Sequence, residues 1–252
     1  MELKIFSNAD EASIYIAKEI AELIAVKNSN GEKTVLGLAT GNTPIQVYKE
    51  LISLHKEGLS FRNVITFNLD EYYPMNASRT ESYHVYMNKH FFDHVDVLKE
   101  NINIPDGSIP GDYVSSYCAE YEQKIFDVGG IDIQLLGIGR TGHIGFNEPG
   151  SSKDSITRLI KLDETTREDA AKDFKGLRNV PKMAITMGIK TILSAKKIYL
   201  LSLGNRKAKI TKECLLGEIS SDRPASFLQN QEAVEIILDE KAGMLIHKDK
   251  IN

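Results

Sequence analysis

A histidine and a carboxylate five positions apart, His143 and Glu148, lie in a stretch with five glycines between residues 137 and 150. So many glycines would weaken a helix or a strand, which predicts a loop that bends closely around a ligand. The loop follows an apolar run, residues 131–136, that is typical of a buried strand. Glu148 could orient the His143 imidazole and raise its basicity, so the spacing indicates acid–base chemistry at a strand's carboxyl end.

Two further polar clusters come directly after predicted strands. Asp70 and Glu71 follow the apolar run 64–69 and are either a plain polar strand end or a base that transfers protons. The cluster Thr40-Gly41-Asn42-Thr43 precedes a helix, whose free N–H groups and dipole could bind an anion, although a merely capped turn is the alternative. Because ligands bind outside the carboxyl ends of strands in open α/β sheets, we expect these clusters to meet.

Other candidate sites are less specific. Lys207 follows a fourth predicted strand and could neutralise a phosphate, although a solvated surface lysine is the simpler interpretation. The spacing of Gly137, Gly139 and Gly142 matches a dinucleotide-binding pattern, but the glycine and proline residues that follow prevent the helix this pattern requires. No metal site is predicted, because the spacing of His143 and Glu148 is not that of a helical ligand pair. The remaining histidines are interpreted as surface or helix-side residues: His55, His84, His90, His94 and His247.

Short apolar strands alternate with amphipathic helices along the chain, which predicts an α/β fold with a sheet covered on both faces. The 252 residues contain no visible repeat or linker, so we expect one domain over residues 1–252. For the helix after the Thr40 cluster, Thr43 is predicted as N-cap, Pro44 as the first helical residue and Gln46 as the partner in a capping box. Residues 150–180 are predicted to be poorly ordered. Strands are predicted at 34–39, 64–69, 131–137, 184–187, 198–203 and 234–238, and helices at 9–26, 44–57, 81–93, 112–127 and 206–216.

Composition narrows the class of protein. A hydrophobic fraction of 42% and a net charge of −4, with scattered lysines and arginines, indicate a globular protein and argue against nucleic acid or a membrane surface as a partner. Cys118 and Cys214 lack metal-ligand spacing, which favours buried free thiols in a reducing compartment. With no signal-peptide pattern and no membrane-spanning apolar run, we expect a cytoplasmic protein.

Taken together, these clusters resemble the glucosamine-6-phosphate deaminase (glucosamine-6-phosphate isomerase) family over essentially the whole chain. The resemblance is carried by residues 36–44, 67–72 and 142–149, with Ser82-Tyr83 and the spacing Gly204-x-x-Lys207. The first motif is shared with related sugar-phosphate enzymes such as 6-phosphogluconolactonases. The resemblance implies a Rossmann-like, mostly parallel sheet with helices on both faces.

The resemblance also implies an activity and a set of site residues. The reaction converts glucosamine 6-phosphate and water to fructose 6-phosphate and ammonia, without a metal or an organic cofactor. Asp70 would move a proton between C2 and C1, and His143, oriented by Glu148, would assist ring opening. The remaining site residues would bind the sugar phosphate: Thr40, Gly41, Asn42, Thr43, Gly139, Gly142 and Lys207.

The chain departs from the family pattern in three places. Thr141 stands where many members carry an acid next to the catalytic histidine, and Lys172 aligns with a phosphate-binding arginine, which keeps the charge but loses bidentate geometry. Of the residues some members use for regulation, Ser151, Ser152 and Arg158 are present, but a lysine is replaced by Ile160. We therefore expect little or no activation by N-acetylglucosamine 6-phosphate.

These departures leave alternatives open. Thr141 and Lys172 motivate a deaminase for another hexosamine phosphate, such as galactosamine 6-phosphate. A non-catalytic sugar-phosphate-sensing module is a third hypothesis, and it would need the phosphate site but not Asp70, His143 and Glu148 together. The oligomeric state is open, a homo-oligomer included.

Overall fold

The computed structural model describes residues 1–246 of the chain. The strands are β1 (Glu2–Phe6), β2 (Thr34–Leu38), β3 (Val64–Asn68), β4 (Asp70–Tyr73), β5 (Ile102–Asn103), β6 (Ile133–Gly137), β7 (Arg158–Lys161), β8 (Met183–Thr186), β9 (Lys197–Ser202) and β10 (Val234–Asp239). The helices are α1 (Ala9–Ser29), α2 (Ile45–Lys56), α3 (Tyr83–His90), α4 (Val114–Asp127), α5 (Glu164–Ala170), α6 (Ile189–Leu193), α7 (Ala208–Leu216) and α8 (Glu240–Gly243).

A seven-stranded sheet in the order β1-β10-β9-β6-β2-β3-β5 forms the centre of the fold. All of its neighbouring strands are parallel. From β2 the chain proceeds to β3 and β5 on one side, then returns to β6 and continues to β9 and β10 on the other. The reversal makes the gap between β2 and β6 a topological switch point, where open α/β sheets bind ligands. The predicted α/β fold with a mostly parallel sheet is confirmed.

Both faces of this sheet are covered by helices, because the parallel strands carry apolar side chains on both sides. Leu36 and Leu38 of β2 belong to the core beneath α1, α2 and α3, in which Ile16 and Tyr48 are also fully buried. Val35 of the same strand belongs to the opposite core, to which α4, α6 and α7 contribute. Each fully buried Leu or Ile contributes about 1.5–3 kcal/mol to folding.

A small antiparallel sheet in the order β4-β8-β7 stands apart from the main one. Its strand β7 and helix α5 lie within residues 150–180, so the prediction that this segment is poorly ordered is wrong. The strand predicted at 184–187 is present as β8, but it pairs antiparallel with β4 and β7. Ile185 of β8 is buried against α4 at Val114 and Cys118.

The predicted capping box at the start of α2 is also wrong. The N-cap position is Pro44, which has helical backbone angles, and no side chain in the described part of the chain caps this helix end. The Thr43 hydroxyl instead lies beside β6, 3.8 Å from the position that a Cβ on Gly137 would occupy. Thr43 therefore presents its hydroxyl to the switch point rather than to its own helix.

Other boundaries differ by short 3₁₀ segments. The helices predicted at 112–127 and 206–216 begin with 3₁₀ turns at Gly111–Tyr113 and Asn205–Lys207. The helix predicted at 81–93 ends at His90 and is followed by a 3₁₀ turn, Phe92–His94. Within residues 1–246, no helix combines the length and the hydropathy needed to cross a membrane. Cys118 and Cys214 are buried free thiols, as predicted, and His247 lies outside the described residues.

Candidate active site

A cavity of about 710 Å³ lies at the carboxyl ends of β9, β6, β2 and β3, which are consecutive neighbours in the sheet. Each of these strands is followed by residues that line it. The structure thus brings together most of the predicted site residues, from four separate parts of the sequence: Thr40, Gly41, Asn42, Thr43, Asp70, Gly139, His143 and Lys207.

Asp70 begins β4, separated from the end of β3 by Leu69 alone, and it is only 5% exposed. Its Oδ2 atom lies 3.3 Å from the position of a Cβ on Gly145, so a larger residue there would press on the carboxylate. Within residues 1–246 its carboxylate accepts no hydrogen bond. Burial, and secondarily the charge of Glu71, raises the pKa of Asp70 well above its ordinary value. Asp70 is therefore a stronger base than a surface aspartate.

Glu71 is held behind Asp70 by three donors. Its carboxylate accepts hydrogen bonds from the backbone N–H groups of Tyr72, at 2.9 Å, and Tyr83, at 2.8 Å, and it lies 3.2 Å from His84 Nδ1. Burial raises the pKa of Glu71, and the neighbouring imidazole and amides oppose that rise. The interpretation of His84 as a surface or helix-side residue missed this pairing, which joins α3 to the strand that carries Asp70.

His143 has three oxygen atoms around its Nδ1 atom. Thr141 Oγ1 lies 2.9 Å away, Glu148 Oε2 3.3 Å and Thr166 Oγ1 3.4 Å. The Glu148 contact is close but does not have hydrogen-bond geometry. Its other oxygen accepts a hydrogen bond from the backbone of Asp163 at 3.2 Å. Glu148 and Thr141 thus lie behind the imidazole and do not line the cavity themselves.

The opposite ring nitrogen of His143 packs over Gly139. A Cβ on Gly139 would lie 2.0 Å from Nε2, so only glycine leaves room for the ring. The Gly139 N–H donates to the His143 carbonyl at 2.9 Å and closes the turn. Gly142 has a φ of +81° and packs on α7, where a Cβ would lie 2.9 Å from Cys214 Sγ. Gly142 therefore shapes the loop but does not line the cavity.

The loop Thr40–Thr43 is held in place by two tyrosines. Tyr48 donates its hydroxyl hydrogen to the Ala39 carbonyl, and Tyr86 donates to the Gly41 carbonyl. Gly41 has a φ of +83°, which favours glycine. The chain then enters α2, so backbone N–H groups at this helix start are available to an anion.

Lys207 lines the cavity from the end of β9 and is partly buried. Within residues 1–246 no hydrogen bond or salt bridge engages its Nζ atom. Burial lowers the pKa of Lys207, and the charge of Asp169 opposes that change. A partly desolvated cation beside a helix start with available N–H groups is suited to a phosphate group.

Lys172 does not line this cavity. It is exposed in the turn that follows α5, whereas Asp169 of α5 has its Oδ1 2.7 Å from Arg140 Nη1. Both members of this pair line the cavity, and sequence analysis singled out neither. The only signal was the position of Arg140 inside the glycine-rich motif. Among the described residues no cluster of three or more His, Cys, Asp or Glu side chains could hold a metal ion.

Residues 7–237 match the family model described as glucosamine-6-phosphate isomerases/6-phosphogluconolactonase. The chain belongs to this family. It is 46% identical over 247 residues to a glucosamine-6-phosphate deaminase of Clostridium acetobutylicum, with 98% of this chain and 100% of that protein covered. It is 50% identical over 241 residues to a glucosamine-6-phosphate deaminase-like protein of Bacteroides thetaiotaomicron, a match covering 95% of this chain and 36% of that longer protein.

A solved structure of a monomeric glucosamine-6-phosphate deaminase superimposes with a TM-score of 0.92 at 45% identity, covering 97% of this chain and 100% of that one. The central sheet and flanking helices are therefore those of this family.

The residues that the family resemblance assigns to regulation lie behind the histidine loop. Arg158 donates from Nη1 to Asn147 Oδ1 at 2.9 Å and from Nη2 to Ser151 Oγ at 3.0 Å. Asn147 is buried and donates to the Ile144 and Met187 carbonyls. Arg158 thus supports the loop that carries His143, and its guanidinium is already engaged within the chain.

Proposed function

We propose that this chain is a glucosamine-6-phosphate deaminase, which converts glucosamine 6-phosphate and water to fructose 6-phosphate and ammonia. The observation that carries the proposal is one cavity that combines a buried Asp70 carboxylate, without a hydrogen-bond partner among residues 1–246, with the His143 imidazole and a candidate anion site at Thr40–Thr43 and Lys207. The relatives named above, at 45–50% identity, support the same substrate.

The phosphate binds first in this scheme. Backbone N–H groups at the start of α2, the Thr43 hydroxyl and Lys207 surround the end of the cavity that suits an anion. With the phosphate anchored there, the sugar ring lies between Asp70 and His143. Such positioning converts the later proton transfers into steps within one complex.

His143 then assists ring opening. The proton leaves the C1 hydroxyl and the ring oxygen gains one, so that the ring C1–O bond breaks and a C1 aldehyde forms. The imidazole on the cavity side of Gly139 exchanges these protons, while Thr141, Thr166 and Glu148 hold the far side of the ring.

Asp70 performs the isomerisation. Its carboxylate removes the proton from C2, which is acidic because it lies next to the C1 carbonyl, and gives an enol with the amino group on C2. Return of a proton to C1 yields an imine at C2, water adds to that carbon, and ammonia leaves to give the ketose. The raised pKa of Asp70 matches the need for a base stronger than a surface carboxylate.

The structure weakens the alternatives left open by the sequence. A sensor would have no use for a buried carboxylate without a partner. The galactosamine 6-phosphate hypothesis rested partly on Lys172, which is exposed outside the cavity. The relative described as monomeric favours a monomer over a homo-oligomer, and the two buried free thiols favour the cytoplasm as the location.

The test measures fructose 6-phosphate and ammonia separately during turnover of glucosamine 6-phosphate. We expect equal amounts of both, and a loss of about 10²- to 10⁴-fold in kcat for Asp70→Asn, because the amide cannot accept the C2 proton. Asp93→Asn, an exposed position on the turn after α3, is the matched control. A wild-type rate no better than that of Asp70→Asn would refute the proposal. Faster turnover of galactosamine 6-phosphate than of glucosamine 6-phosphate would identify the former as the substrate instead.

A further inference from the structure

We propose that Arg140 binds the phosphate of the substrate directly, and that Asp169 holds the guanidinium in place while the cavity is empty. The inference rests on the proposed function, because it assigns a phosphate ligand within that same site. It gives the glycine-rich loop a second role besides carrying His143.

The position of Arg140 is the first argument. It follows Gly139 in the turn after β6, and β6 lies between β2 and β9 in the sheet. The loop Thr40–Thr43 follows β2 and Lys207 follows β9. Arg140 therefore emerges between the two parts of the anion site, and all three line the same cavity.

The partner of Arg140 is the second argument. Its side chain is 57% exposed, that of Asp169 is 45% exposed, and a single contact of 2.7 Å between Nη1 and Oδ1 joins them. Exposed ion pairs of this kind contribute only about 0–1 kcal/mol. A guanidinium has five N–H donors, and a phosphate can accept two of them in a bidentate arrangement. A phosphate dianion would therefore displace Asp169 at little cost.

The balance of charge is the third argument. Arg140 and Lys207 are close enough that the positive charge of Arg140 lowers the pKa of Lys207, in addition to burial, and Asp169 supplies the opposing negative charge. Two neighbouring cations that share the influence of one exposed carboxylate form a site that gains from a doubly charged anion. The expected cation on this wall, Lys172, is exposed and does not line the cavity.

The alternative is a purely structural role, in which the Arg140–Asp169 ion pair only connects the histidine loop to α5. The two roles predict different effects on phosphate affinity when Arg140 or Asp169 is substituted. If Arg140 binds phosphate, removing it weakens binding, whereas neutralising Asp169 frees the guanidinium and strengthens binding. If the ion pair is purely structural, both substitutions change phosphate affinity in the same direction.

The experiment measures the Kd of inorganic phosphate and of fructose 6-phosphate by calorimetry, and KM and kcat for glucosamine 6-phosphate, at constant ionic strength. We expect Arg140→Gln to raise Kd and KM about tenfold, with kcat within about twofold of wild type. Arg140→Lys keeps the positive charge but loses the bidentate geometry of the guanidinium. Its Kd and KM should therefore lie between those of wild type and those of Arg140→Gln. Asp169→Asn should lower the Kd for phosphate by about twofold or more.

Arg62→Gln is the matched control, because Arg62 is an exposed arginine that precedes β3 at the opposite edge of the sheet. Equal weakening by Arg140→Gln and Asp169→Asn, or a Kd for Arg140→Gln within twofold of Arg62→Gln, would overturn the proposal. Melting temperatures identify any variant that fails to fold, and Arg140→Lys then carries the comparison. Phosphate binding needs no turnover, so an inactive wild-type protein would refute the deaminase assignment and still leave the role of Arg140 measurable.

Discussion

The imidazole of His143 has two threonine hydroxyls and one carboxylate around its Nδ1 atom. Among these neighbours, Thr141 is the closest, and the family resemblance implies that it stands where many members carry an acid. A hydroxyl can donate to this nitrogen or accept from it, so it can follow the ring through both protonation states. Glu148 adds the negative charge that a threonine lacks, from 3.3 Å away.

Thr141→Val should lower kcat about five- to tenfold with little change in KM. The valine has nearly the same shape but removes the 2.9 Å contact, so the ring loses the neighbour that orients its Nδ1 side. Steady-state kinetics check this expectation. Thr141→Ser keeps the hydroxyl and should remain close to wild type; equal kinetics for the valine and serine variants would contradict a positioning role.

At the scale of secondary-structure elements, one side chain connects the end of β10 to the turn that carries Lys207. Asp239 caps α8 by accepting from the Ala242 N–H at 2.8 Å. It also accepts from the Gly204 N–H, at 2.9 and 3.1 Å, at the beginning of that turn. A buried carboxylate thus fixes both a helix start and the path of the chain into the cavity.

Asp239→Ala should cost about 1–3 kcal/mol of stability, because it removes a cap and leaves buried N–H groups unpaired. It should also raise KM, since Lys207 is no longer held at the anion site. Denaturant unfolding and kinetics measure the two effects. Asn8→Ala removes the side-chain cap of α1, away from the cavity, and should lower stability alone. An Asp239→Ala variant with unchanged KM would show that the turn carrying Lys207 keeps its conformation without the Asp239 carboxylate.

The central strands could be predicted from the sequence because each is an apolar run long enough to be recognised without its partners. Strands β4 and β7 have four residues each and depend on pairing with β8, which comes from a distant part of the chain. The edge strand β1 was missed, since it is only partly buried. The capping box at Thr43 was wrong, because the neighbouring β6 and the helical angles of Pro44 decide that turn.

The same distinction applies to the site. Asp70 and His143 could be predicted because their residue types and positions after strands indicate chemistry by themselves. The pairs Glu71–His84 and Arg140–Asp169 join residues 13 and 29 positions apart, and only the folded chain shows that they meet. The expectation for Lys172 rested on the family resemblance, which does not show that the turn after α5 leaves this side chain exposed.

At the scale of the whole molecule, charges are treated differently at the two edges of the central sheet. At the amino ends, Asp132 is paired with Lys27 and Lys196, and Glu235 is paired with Lys4 and Lys197. At the carboxyl ends, the side chains of Asp70 and Lys207 are buried to a large extent, and no residue in the described range 1–246 forms an ion pair with either. The ion pairs at the amino ends stabilise the fold, whereas the buried charges at the carboxyl ends lower its stability and serve binding and chemistry.

Asp70→Asn should therefore be more stable than wild type at pH 7.5, by about 1 kcal/mol or 2–4 °C in Tm. A carboxyl whose pKa is raised by folding stabilises the protein below its unfolded pKa, near 3.9, and loses that contribution as the pH rises through the folded pKa. The advantage of the asparagine variant should consequently shrink as the pH falls toward 4.

Melting curves from pH 4 to pH 8 measure this difference. Asp93→Asn, on the exposed turn after α3, should show no comparable pH-dependent gain. A variant at position 70 that is no more stable than wild type at pH 7.5, or whose advantage is the same at every pH, would show that the buried carboxylate carries no such cost.

The sulfur beneath the histidine loop gives the molecule a built-in reporter. Cys214 packs directly against Gly142, and burial raises the pKa of its thiol to about 12, so at neutral pH it is neither accessible nor ionised. Lifting of that loop from α7 would uncover the thiol and let an alkylating reagent reach it. The rate of Cys214 alkylation would then report how often the loop opens. A bound sugar phosphate that keeps the loop closed would lower that rate.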